Sequence, residues 1–189
     1  MNEFNKVKSD APQNLVMGAG MILSDFDVTT ETYEEENILF TTTGGVNITA
    51  VPTIVDFGED IDNMPKNTKE MMVIESWECK ITGSSYTATA AATKMLLPGS
   101  IIDSTSGKIT LSKELKDTDF NNLWWVGSKK NGGMVAVLLK NALSMAGFNM
   151  QTTDKAKGTF ALDFTGTYSI DAQDDVPMEI YIKEPTETV

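Results

Sequence analysis

Two acid pairs, Asp25 with Asp27 and Asp60 with Asp62, come nearest in this chain to a spacing that could do chemistry. Paired carboxylates can divide the acid and base roles of a hydrolysis, and closely spaced Asp residues can open a cation loop. Neither pair has the surroundings those tasks need. No calcium-loop ligand pattern follows Asp27, and all four acids lie in turn-like segments that fix no geometry, so solvated charge is the expectation. Histidine is absent, which removes the commonest general base and metal ligand together with Ser-His and Cys-His nucleophiles. Cys79 is the single cysteine; on the apolar side of an alternating strand it reads as a small core residue rather than a reactive thiol. Gly18-Ala19-Gly20 lacks the third glycine and following helix of a dinucleotide loop and predicts a strand kink. Gly107-Lys108 suggests a phosphate loop, but Ile102 stands in place of its first glycine and Ile109 in place of its magnesium-binding hydroxyl. Trp124 and Trp125 remain. An exposed indole could stack on a sugar, a subunit contact would explain it equally well, and partial core burial is the default.

Composition narrows the function classes further. The 189 residues suit one domain or a tight pair, and 41% hydrophobic content supports a packed core. A formal charge of −12 argues against ordinary binding to nucleic acid or an anionic membrane. Eleven acids and no Lys fall between Ser9 and Pro65, so nearly all of the net charge sits there. All 15 basic residues are Lys, and without the guanidinium fork of Arg, phosphate clamping is not expected. No apolar run resembles a secretion signal or reaches spanning length, and folding in a reducing cytoplasm is the expectation.

Strands would have to position most of these groups. Residues 1–14 read as a flexible arm, 15–183 as a single domain and 184–189 as a polar tail. Residues 15–27 look like a strand broken at the glycines, and 28–37 like an acidic loop. Residues 38–82 organise the rest as strand, acidic loop, strand. Ile, Val and Thr dominate 46–55, with Gly44-Gly45 permitting a bulge before them. On 71–81, Met71, Val73, Trp77, Cys79 and Ile81 share one face, interrupted by Glu75, and Ser76, Glu78, Lys80 and Thr82 lie opposite. The intervening DFGEDIDNMPKN holds four acids and is longer than a hairpin needs. A short helix is expected at 88–97, capped by Thr87 or Thr89 and stopped by Pro98-Gly99. Residues 100–120 read mostly as loop with a short strand at 109–111, and 123–127 as strand with its two indoles on opposite faces, one of them near a surface or an interface. Residues 134–148 fit a helical stripe and a strand almost equally. Residues 159–170 alternate cleanly, with Phe160, Leu162, Phe164, Tyr168 and Ile170 against Asp163, Thr165 and Thr167, and 176–182 alternate to close the sheet.

Taken in order, GAGMILSDFD, TTGGVNITAVPTIVDFGEDID, ESWECKITGS, DFNNLWWVGSKKNGG, KGTFALDFTGTYS and DVPMEIYI resemble the tail tube (major tail) protein of long-tailed bacteriophages over about residues 15–183. The specificity lies in order and spacing, since no single piece is a catalytic fingerprint. The resemblance implies a mainly β tail-tube fold, two packed antiparallel β-sheets with one short flanking α-helix, similar in fold to the type VI secretion tube. It implies a non-enzymatic virion protein without cofactor or metal. Six copies would close into a ring, and rings would stack into a hollow tube through which viral DNA passes without specific binding. Its other partners would be a tape measure protein and tail-end proteins, with no membrane. It tips 134–148 towards strand. It also implies ring-to-ring contacts by the terminal arms and by the long loop at 57–69, here carrying Phe57, Glu59, Asp60, Asp62, Asn63, Lys66 and Lys69.

Two expectations follow for a ring of six. The loop at 57–69 is too polar to order on its own and should order on stacking, its acids meeting lysines of the next ring. Six chains bring six times −12, or −72, formal charges, some of which must face the channel. The polar faces of the two best strands, Ser76, Glu78, Lys80 and Thr82 with Asp163, Thr165 and Thr167, are the expected lining, because carboxylates and small hydroxyls hold water and repel phosphate. A monomeric carbohydrate-binding β-sandwich using Trp124 or Trp125 stands as the alternative, and a hydrolase using the paired acids as the weakest reading.

Overall fold

In the computed structural model, which describes residues 6–86, 89–103 and 105–185, the chain runs β1 (Val16–Leu23), β2 (Ile38–Phe40), β3 (Thr42–Asp56), β4 (Met72–Ser85), α1 (Ala90–Leu96), β5 (Ile101–Asp103), β6 (Lys108–Thr110), β7 (Asn121–Lys129), β8 (Met134–Ser144), β9 (Met150–Gln151), β10 (Thr159–Gly166) and β11 (Met178–Lys183). Every pairing is antiparallel. Nine strands form one sheet in the order β2-β1-β7-β8-β10-β4-β3, with β11 added on β8 and β9 on β10, while β5 and β6 pair apart from it. The protein is mainly β with one α-helix, as its alternating stretches lead one to expect.

Strand β8 joins two layers. Along one side it pairs with β7; along the other, Met134–Leu139 pair with β11 and Ala142–Ser144 with β10. Between these halves Asn141 takes a left-handed conformation (φ 47°), which Asn tolerates better than most residues, and the strand bends there. The layer β2-β1-β7-β8-β11 thereby packs over β10-β4-β3. Ile22, Phe40, Leu123, Trp125, Val137 and Leu139 of the first meet Cys79, Ile81, Phe160, Leu162 and Phe164 of the second in one core, with the rings of Phe40 and Phe164 5.7 Å apart. The ambiguity of 134–148 has a physical origin here. Val137 and Leu139 enter this core while Ala136 and Leu138 enter a second cluster on the opposite face, so both faces are apolar and the period of two disappears.

Both indoles are buried, Trp124 at 9% and Trp125 at 8% exposure, where the alternation alone predicts one near a surface or an interface. They do lie on opposite faces. Trp125 joins the main core and its Nε1 donates to the Ala19 carbonyl (2.9 Å). Gly20 allows this, because a Cβ there would stand 2.5 Å from Nε1 and the residue has φ +71°. The Gly-Ala-Gly kink is thus a seat for an indole. Trp124 escapes solvent because residues 24–37 fold back over the outer face of β1 and β7, placing Phe26 edge-on against it at 5.8 Å, with Tyr181 of β11 on the other side.

Thr89 caps α1, its hydroxyl accepting from the Ala92 N–H at 3.1 Å, and Ala92 and Leu96 point into the core; Thr87 lies outside the described residues. Strand β10 stops at Gly166, short of the expected 170. Beyond it the Tyr168 hydroxyl accepts from the Trp77 N–H (2.7 Å), taking the place of the next ladder bond on β4, and Ile170 is exposed. No helix among the described residues is long and apolar enough to cross a membrane.

Candidate functional site

Register brings most of the expected lining residues together. On β4 and β10, Thr82 faces Asp163 and Lys80 faces Thr165; on the other side of β4, Thr82 faces Asn47, Lys80 faces Thr49 and Ser76 faces Thr53 of β3. Directly opposed residues share a face, so Ser76, Glu78, Lys80, Thr82, Asp163 and Thr165 lie on one mostly polar surface three strands wide, interrupted by exposed Val51 opposite Glu78. Its charges are nearly balanced. Lys80 is ion-paired with Glu78, and that hydrogen bond, helped by the charge of Asp163, holds the ammonium above its ordinary pKa against the effect of burial. Asp163 Oδ1 and Thr165 Oγ1 are shielded yet find no hydrogen-bond partner among the described residues. Thr167 does not belong to this surface. It lies beyond the end of β10, where its hydroxyl donates to the Asn141 carbonyl at 2.8 Å and braces the bend of β8.

The loop between β3 and β4 behaves differently from its sequence expectation. Asp56 organises it, one carboxylate oxygen accepting from the Gly58 N–H and the other from the Asn67 N–H, both at 2.8 Å. Backbone bonds from Ile61 to Gly58 and from Met64 to Ile61 add turns, Asn63 adopts a left-handed conformation (φ 62°), and Lys66 pairs with Glu59 at 3.0 Å. Lys69 is spent on its neighbour Glu70. The loop therefore has a local fold of its own, built by side chain to backbone bonds that a reading of polarity alone misses. Asp60 and Asp62 have no ion-pair partner among the described residues.

Below the loop, the last part of the β3–β4 hairpin is apolar on both faces and uncovered. A bulge at Glu75 shifts the register so that Ile54 pairs with Ile74 and Val55 with Val73. Ile54, Val73 and Ile74 are each half exposed and Phe57 is 65% exposed. The sequence hid this, because the broken alternation at Glu75 looked like one polar intruder on a buried face. A second uncovered apolar region lies where the layers fork. Met178 and Ile180 of β11 look across an open groove at Trp77 and Ala50.

No family model, no curated protein and no solved structure matches the chain. Among the described residues no three acidic or cysteine side chains gather as a metal site. Asp27 is committed to a turn, where hydrogen bonds from Thr30 and Thr29 hold its carboxyl below the ordinary range, and Asp25 joins it in no constellation. Burial raises the Cys79 thiol above its ordinary pKa, which disfavours the thiolate a nucleophile needs. With Trp124 and Trp125 both packed inside, neither offers the stacking platform that the carbohydrate alternative requires.

Proposed function

We propose that this chain is a structural subunit that closes into hexameric rings which stack into a hollow tube, the conduit for viral DNA in a phage tail. The observation that carries the reading is the uncovered apolar arm of β3–β4. A two-stranded ribbon is marginal in water, and exposed Ile54, Phe57, Val73 and Ile74 at its end call for a covering surface. In this reading the arm covers a different surface of the next copy, a heterologous contact, and repeated heterologous contacts generate rings or filaments. The polar surface of β3, β4 and β10 suits the channel. It offers one lysine, already ion-paired, and two acids, so a phosphate backbone gains no counterion release from touching it and slides on a hydrated layer. Tape measure and tail-end proteins would fill and terminate such a tube. Sedimentation of the purified chain across concentration tests the assembly step. Discrete hexamers and larger stacks are expected; a lone 20.6 kDa species at the highest attainable concentration would end the proposal.

A further inference from the structure

Resting on that reading, we infer that the tip of the β3–β4 arm docks on the β5–β6 excursion of a second copy, its free carboxylates Asp60 and Asp62 meeting Lys113 and Lys116. The tip holds Glu59, Asp60 and Asp62 within four residues. Glu59 has its own lysine, which leaves the other two as unneutralised charge beside exposed Phe57 and Ile61. Such a surface fits a partner that is basic and apolar together.

The chain has one stretch of that kind. Lys108, Lys113 and Lys116 fall within nine residues, the only nine-residue stretch with three lysines in a protein of charge −12, offset by Glu114 alone. None of the three makes an ion pair among the described residues. Leu111 is 67% exposed and Leu115 55%, both in the segment that follows β6, and the β5–β6 sheet is not joined to the main one. At its base the excursion is anchored by Asp119, which accepts from the Gly99 and Lys116 backbone N–H groups.

Placement excludes self-docking as the simplest use. Strand β4 has 14 residues, roughly 45 Å at the usual rise, and the arm lies at its Met72 end while the chain leaves for α1 and the excursion from its Ser85 end. No hydrogen bond or ion pair joins the two regions within one copy among the described residues. A donor surface and a complementary acceptor at separate places on one chain form a head-to-tail contact, the kind that stacks rings.

Charge exchange tests the pairing. The double variants D60K/D62K and K113E/K116E each juxtapose like charges and should raise the concentration needed for assembly by at least about tenfold, while the quadruple variant returns it to within about threefold of the parent. Mixing the two double variants one to one should also restore assembly, since each then offers the charge the other lacks, and this holds even if the quadruple variant folds poorly. Parent-like assembly by either double variant, or failure of both the quadruple variant and the mixture to recover, would overturn the pairing while leaving tube formation intact. A parent chain that never assembles would remove both proposals.

Discussion

Strand β7 and the end of the β3–β4 arm carry the same kind of sequence and meet opposite fates. Each is apolar on both faces. On β7, Trp125 enters the core between the layers and Trp124 is roofed by Phe26 and Tyr181, so five consecutive residues from Leu123 to Gly127 are buried. On the arm, Ile54, Val73 and Ile74 have, among the described residues, no strand beyond β3 and stay half exposed. The difference is position in the sheet. A central strand of a layered sheet acquires two covers within one chain, whereas a ribbon beyond a bulge acquires none, and the residue types that stabilise the first become a demand for a partner in the second.

The largest effect should separate the two regions outright. Trp125→Ala removes a core side chain and should cost about 3–5 kcal/mol in urea unfolding, while the pair Ile54→Ser and Ile74→Ser, already half in water, should move the unassembled chain by about 0.5 kcal/mol or less per site yet prevent assembly. Equal destabilisation by both would mean that the arm is part of the core. Next in size is Gly20→Ala. A left-handed φ alone should cost about 1–2 kcal/mol and the clash with Trp125 adds to it. Gly18, with a similar φ and nothing near its missing Cβ, should cost less on the same substitution, and an inverted order would contradict the role given to the indole seat.

These contrasts also show what the sequence could and could not disclose. Helix α1, a threonine cap narrowed to Thr87 or Thr89, and the opposed directions of the two indoles are readable, because capping and the period of two are local rules. The burial of Trp124 was not, since it depends on Phe26 arriving from a loop about a hundred residues away in the chain. Strand β8 needed the resemblance, because two buried faces erase the pattern that distinguishes strand from helix. Of the expected lining residues, all but Thr167 share a surface; Thr167 kept the right parity but lay past the point where Gly166 ends the strand. The pairing of Ile101–Asp103 with the expected short strand was missed, as three-residue strands carry too few residues for any period to show.

The smallest effect concerns the chain beyond β11, a third case in which one partner decides coverage. Lys129 of β7, its side chain 4% exposed, has Glu184 as its ion-pair partner, and Asn131 Nδ2 donates to the same carboxylate at 2.7 Å. These bonds, Lys129 first, hold the Glu184 carboxyl below its ordinary pKa. A carboxyl lowered in the folded state stabilises the attachment fully above its unfolded pKa of about 4.3 and loses that contribution as pH falls through the lowered value. The Asn131 side-chain amide signal should therefore shift as acidification passes below the ordinary carboxyl range in the parent and stay flat in E184Q. The same titration in both would place the effect elsewhere.

Imaging the assembled particle by electron cryomicroscopy bears most directly on whether the uncovered arm exists to build a tube. Sixfold rings stacked around an open channel are expected, with the arm buried between rings and Glu78, Lys80 and Asp163 facing the hole. Particles without a channel, or a tube whose arms project freely into solvent, would contradict it.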